Sequence, residues 1–146
     1  MTGRGTGRLL FGFVRHWSRR AASGDGSAAE QGRLILVTEA VAALADRAVP
    51  PTVNAVAEEI GIDQSGASRL IRRAVDAGYL ASTAAPSDAR RREASVTPAG
   101  RSALRQAHAG QEEIFDELTV GWSRQRRDDL HTAMADLISR SHEIDR

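Results

Sequence analysis

Cysteine and lysine are both missing from this 146-residue chain, and each absence narrows what it can do. Without a thiol there is no disulfide, thiolate metal site, iron–sulfur cluster or cysteine redox switch. Met1 and Met134, the only methionines, are poor substitutes for a fast oxidative switch. Aromatic residues make up only 4%, which leaves the core to aliphatic side chains and alanine. No apolar run approaches the roughly 20 residues that a membrane span requires, so no membrane partner is expected. Met1 to Arg8 lacks the apolar segment of a signal peptide, and a cytoplasmic location is the expectation. The early glycines Gly3, Gly5, Gly7 and Gly12 follow no strand and precede no lysine, so they are no nucleotide loop. His108 and Glu112 stand four apart on a helix, but His16, His131 and His142 add no third ligand at a diagnostic spacing. Neither a metal, a cofactor nor an enzymatic activity is expected.

All 20 basic residues are arginine, and the formal net charge of +1 conceals their distribution. Residues 1–20 carry five arginines and no acid, residues 21–63 two arginines against seven acids, residues 64–101 seven against three, and residues 102–146 six against nine. The second basic block has the make-up of a surface for a polyanion.

Apolar spacing organises the chain as helices with one small hairpin. Leu9, Leu10, Phe13, Val14 and Trp17 recur at threes and fours, giving a helix over about 8–20 with one apolar face. Gly24-Asp25-Gly26-Ser27 reads as a break. A second helix is expected over 28–47, with Leu34, Val37, Val41, Leu44 and Ala45 inward. Pro50-Pro51 ends it, and Thr52 caps a short helix over 53–60. Gly61-Ile62-Asp63 then leads into a helix over 64–77, the layout of a helix-turn-helix. Strands over 79–83 and 93–96 flank a long polar loop. Thr97-Pro98 opens a helix to about 119, and Trp122 opens a last one through Leu130, Met134, Leu137 and Ile138.

On a wheel for residues 64–77, Ala67, Leu70, Ile71, Ala74 and Ala77 share one side, while Ser65, Ser68, Arg69, Arg72 and Arg73 share the other. A helix fits the major groove of DNA, where arginine reads guanine and short polar residues approach base edges. Gln64, Ser65, Ser68 and Arg69 are therefore candidates for base edges, and Arg72 and Arg73 for phosphates. Asp76 is placed to hold Arg72 or Arg73. In the hairpin, Asp88 is followed by Arg90, Arg91 and Arg92, which cannot be buried unpaired and so face solvent or a ligand. Arg90 suits the minor groove, Arg91 or Arg92 the backbone, with Asp88 shaping the loop. An Arg-rich helix face is also what a winged module for protein contacts would show. Acidic residues of the same chain covering that face would favour this alternative.

The residues from Thr52 to Gly100 resemble the MarR family of winged helix-turn-helix transcriptional regulators. The likeness rests on Val56-Ala57-Glu58-Glu59-Ile60-Gly61, Ser68-Arg69-Leu70-Ile71-Arg72-Arg73, Gly78-Tyr79-Leu80, Asp88-Ala89-Arg90 and Val96-Thr97-Pro98-Ala99-Gly100. Gly121-Trp122-Ser123 is also similar. The resemblance implies a mainly α fold with a small β wing: one domain over 1–146, its winged helix-turn-helix at 52–97 and dimerisation helices at 8–47 and 98–144. It also implies a homodimer on a pseudo-palindrome of double-stranded DNA, most often as a repressor. The effector would be a small, frequently aromatic and anionic molecule bound between the dimerisation and DNA-binding regions. Leu9, Leu10, Phe13, Val14, Trp17, Leu130, Met134, Leu137 and Ile138 are the expected dimerisation residues. One departure stands out: the arginine that in the family pairs with the acid at the Asp88 position is missing, and its neighbourhood reads Ala81-Ser82-Thr83.

Overall fold

A computed structural model describes residues 5–22 and 26–144, with the backbone alone at 21 and 22. Its elements in chain order are α1 (Thr6–Ala22), α2 (Gly26–Asp46), α3 (Val53–Ile60), α4 (Gln64–Asp76), β1 (Leu80–Ala85), β2 (Asp88–Val96), α5 (Pro98–Leu118) and α6 (Arg124–Ile144). The chain forms two compact units, 1–107 and 108–146, and the boundary falls inside α5.

In the first unit the core is aliphatic. Leu34, Val37, Val41 and Leu44 of α2 meet Val56 and Ala57 of α3, Ala67, Ile71 and Ala74 of α4, and Leu80 and Ala94 of the hairpin. Val37, Val41 and Val56 are wholly buried. Each such side chain contributes about 1.5–3 kcal/mol relative to exposure. Buried Thr38 is satisfied by donating from its hydroxyl to Leu34 O at 2.7 Å. Arg47 after the end of α2 makes a two-pronged ion pair with Glu59 of α3, at 3.2 and 2.6 Å.

Local chemistry sets the ends of the two short helices. The Thr52 hydroxyl accepts from Ala55 N at 3.2 Å, and Asp63 Oδ1 accepts from Gly66 N at 2.9 Å. Between them Gly61 adopts φ +79°, a left-handed conformation in which glycine has no Cβ to clash, and it closes α3 through its N–H to Ala57 O.

Several sequence expectations are corrected. Gly26 and Ser27 belong to α2, while Gly24 and Asp25 of the expected break lie outside the described residues. Ala45 and Ala77 are exposed: α2 turns Thr38 and Ala40 inward instead, and Ala77 forms the cap after α4. Tyr79 precedes the hairpin rather than joining it, and the strands are longer than expected, with only Pro86 and Ser87 between them. The register runs from Leu80↔Val96 to Ala84↔Arg92 and then jumps to Ala85↔Asp88, so residues 89–91 bulge out of the ladder. A third segment lies beside β2, with Ala94 N donating to Pro51 O at 2.9 Å and Thr52 bridged to Glu93.

The start of α5 is stitched onto the root of the wing. Thr97 N donates to Tyr79 O at 3.0 Å, and the Thr97 hydroxyl donates to Gly78 O while accepting from Gly100 N. Gly78 allows this turn with φ +84°.

In the second unit, Gly121 turns the chain with φ +82°, and the cap of α6 is Ser123, whose hydroxyl accepts from Arg126 N at 3.2 Å. The Arg126 guanidinium lies 3.9 Å from the centre of the Trp122 ring, and Arg127 pairs with Asp116. Among the described residues no helix is long and apolar enough to cross a membrane.

Candidate nucleic-acid interface

The polar side of α4 faces solvent because the opposite side is fully used by the core. Gln64, Ser65, Arg69, Arg72 and Arg73 are exposed, Ser68 is half-buried, and Ala67, Ile71 and Ala74 are buried beneath them. At the amino end of α4, Asp63 also accepts from the Ser65 hydroxyl at 3.0 Å. The hydrogen bonds from Gly66 N and Ser65 hold the Asp63 carboxyl below the ordinary carboxylate range, so it stays ionised beside Arg69.

The fold brings the wing arginines to this same end. Gln64 of α4 and Arg90, Arg91 and Arg92 of β2 line one cleft of about 360 Å³, closed by Thr52, Val53 and Asn54 at the start of α3. A second groove, of about 560 Å³, is lined by Arg69, Leu70 and Arg73 of α4 with Arg33 of α2, Ile62, Asp63 and Gly66. The two hollows place arginine from the hairpin, from α4 and from α2 around the exposed helix.

Inside the wing, Asp88 Oδ1 accepts from Arg90 N at 3.0 Å, so it shapes the bulge through the backbone and leaves the Arg90 guanidinium outward. Arg92 behaves differently from its two neighbours. Its Nη2 donates to Ser82 O at 2.7 Å and its Nε to the Ser82 hydroxyl at 3.3 Å, which ties the two strands together. This cross-hairpin brace occupies the neighbourhood where the family's arginine is missing. Asp76 holds neither Arg72 nor Arg73; Arg73 pairs at 3.4 Å with Glu30 of α2.

Sequence reasoning missed Glu30, Gln31, Arg33, Asn54 and the Ser82 brace. Gln31 donates to the Tyr79 hydroxyl at 3.0 Å, so the amino end of α2 touches both α4 and the wing root. Only Ser82 carried a signal, as the site of a departure. Glu30 and Arg73 are 43 positions apart, beyond any local pattern.

The MarR family model matches residues 37–91, which span the end of α2, α3, α4 and most of the hairpin. Over these residues the chain is similar to that family, and its short helices and two-stranded hairpin form a winged helix-turn-helix. That family comprises DNA-binding transcriptional regulators, and the arrangement above is its mainly helical fold with a two-stranded wing. Solved structures share the fold over nearly the whole chain. One, of MarR itself, is 19% identical, covers 99% of this chain and 96% of its own, and has a TM-score of 0.69. The regulator BldR from Sulfolobus solfataricus is 16% identical, with coverage of 96% and 99% and a TM-score of 0.63. BpsR from Bordetella bronchiseptica, whose DNA binding is regulated by 6-hydroxynicotinic acid, is 20% identical, with coverage of 94% and 95% and a TM-score of 0.59. No curated protein sequence matches significantly.

Each unit also leaves apolar surface uncovered. In α1, Leu9, Phe13 and Val14 are exposed, Leu9 by 75%, with Leu10 and Trp17 half-buried. In α6, Met134, Leu137 and Ile138 are exposed and Leu130 is half-buried. His16 packs edge-on against Trp17. Among the described residues no three histidines or carboxylates gather as a metal site.

Proposed function

We propose that this chain is a regulator of the MarR type, a ligand-responsive repressor that binds a pseudo-palindromic operator as a homodimer. One observation carries the reading: Gln64 of the helix-turn-helix and Arg90 and Arg91 of the wing line a single cleft. A duplex whose major groove takes α4 presents its flanking phosphates and minor groove to such a wing. Gln64, Ser65, Ser68 and Arg69 face base edges, Arg72 and Arg91 grip phosphates, and Arg90 enters the minor groove. Asp88 and Arg92 keep the wing in shape. Among the described residues Arg72, Arg90 and Arg91 form no ion pair with a carboxylate, which leaves them available to a polyanion and weighs against a module reserved for protein contacts.

The helices of 8–47 and 98–144 are the dimerisation region in this reading. Leu9, Phe13 and Val14 on α1 and Met134, Leu137 and Ile138 on α6 are large apolar side chains left exposed, the kind of surface that a second copy can cover. The effector is a small aromatic or anionic molecule, a reading supported by the effector of the Bordetella relative. Light scattering at micromolar concentration is expected to give twice 15.7 kDa for the free protein, and a complex of two chains with one short duplex at low salt. A monomer, or the absence of any complex, contradicts the proposal.

A further inference from the structure

At Glu30 one carboxylate oxygen serves two guanidiniums from different helices. Its Oε2 accepts from Arg33 Nη2 at 3.0 Å and Nε at 3.3 Å within α2, and from Arg73 Nη1 at 3.4 Å in α4. Arg33 and Arg73 also line the groove that contains Arg69. The carboxylate that lines this groove, Asp63, already accepts from Gly66 N and from Ser65. Three arginines therefore share one groove, and Glu30 is the acid that reaches across from α2 to α4. Arg73 remains 56% exposed, so the pair sits at the surface and does not serve the core.

We propose that Glu30 is a built-in counter-ion that holds Arg33 and Arg73 back from the DNA backbone and so limits sequence-independent binding. This rests on the DNA-binding reading above. Phosphate contacts act on any sequence, and each one adds counter-ion release to the affinity. A carboxylate fixed 3.4 Å from Arg73 competes with a phosphate for that charge. A surface pair of this kind is weak enough for DNA to displace in part, which makes it a regulator of grip and not a lock.

The test is a titration of a random-sequence duplex over a range of salt with the parent chain and with Glu30→Gln, which keeps the side chain's size and helix propensity. The variant is expected to bind about three- to tenfold more tightly, with a log–log salt slope steeper by about 1 to 2 for a dimer, because one carboxylate offsets about one positive charge, shared by Arg33 and Arg73, in each chain. Arg73→Gln should then flatten the slope more in the Glu30→Gln background than in the parent, because in the parent that charge is already partly neutralised. An unchanged slope, weaker binding by Glu30→Gln, or equal effects of Arg73→Gln in both backgrounds overturns the proposal while leaving DNA binding intact. If neither protein binds duplex at low salt, the DNA-binding reading fails and this proposal with it.

Discussion

Replacing Gly100 with alanine is expected to destabilise the winged domain by about 2–4 kcal/mol and to lower its melting temperature by roughly 10 °C. A Cβ at this position would lie 2.2 Å from Tyr79 O and 2.9 Å from Val96 Cγ1. The obstacle is backbone, not the end of a flexible side chain, so relief requires α5 to move off the wing root. That movement would break the bond from Thr97 N to Tyr79 O and loosen the contacts of the Thr97 hydroxyl with Gly78 O and Gly100 N. Gly110, also in α5, has nothing within 4 Å of the corresponding Cβ. There alanine should be neutral or stabilise by up to about 1 kcal/mol through helix propensity. Thermal melts of the two variants beside the parent decide the matter, and equal melting of Gly100→Ala and parent contradicts the packing described.

Salt should change DNA affinity more than any single substitution does. With Arg72, Arg91 and one further arginine of each chain on phosphates, a dimer neutralises about six, and log affinity should fall against log salt with a slope of about −5. Between about 50 and 200 mM salt that is on the order of a thousandfold. The two neighbouring wing arginines should then separate. Arg91→Ala should reduce the slope by about 2, one phosphate contact being lost in each half. Arg92→Ala should weaken binding with the slope unchanged, because its guanidinium is spent on Ser82 and acts through the shape of the hairpin. A flat salt dependence, or the same slope loss for both variants, contradicts this division of roles.

The parts of the fold legible in sequence are those decided within a few residues. Thr52, Gly61 and Asp63 announce the ends of α3 and α4 because their caps reach only three or four positions, and Thr97-Pro98 marks α5 in the same way. Thr38 and Ala40 escaped because a hydroxyl and a methyl give little hydropathy signal; the Thr38 hydroxyl is buried only because Leu34 O accepts its proton. The wing was harder. Its bulge at 89–91 follows from the register jump opposite Ala84 and Ala85, which no local pattern encodes. The exposed arginines of α4 could be read from helical periodicity, whereas what restrains them could not. Glu30 reaches Arg73, and Arg92 reaches Ser82, only once separate elements have packed.

The central claim is that two copies of this winged helix-turn-helix read successive turns of one duplex. Selection of tight-binding duplexes from a randomised pool, followed by footprinting of the winner, tests it most directly. The account predicts an enriched, two-fold-related sequence with protected half-sites about 10 base pairs apart, centre to centre, or a multiple of that spacing. A pool that yields no preferred sequence, or a single unsymmetrical protected patch, would contradict it.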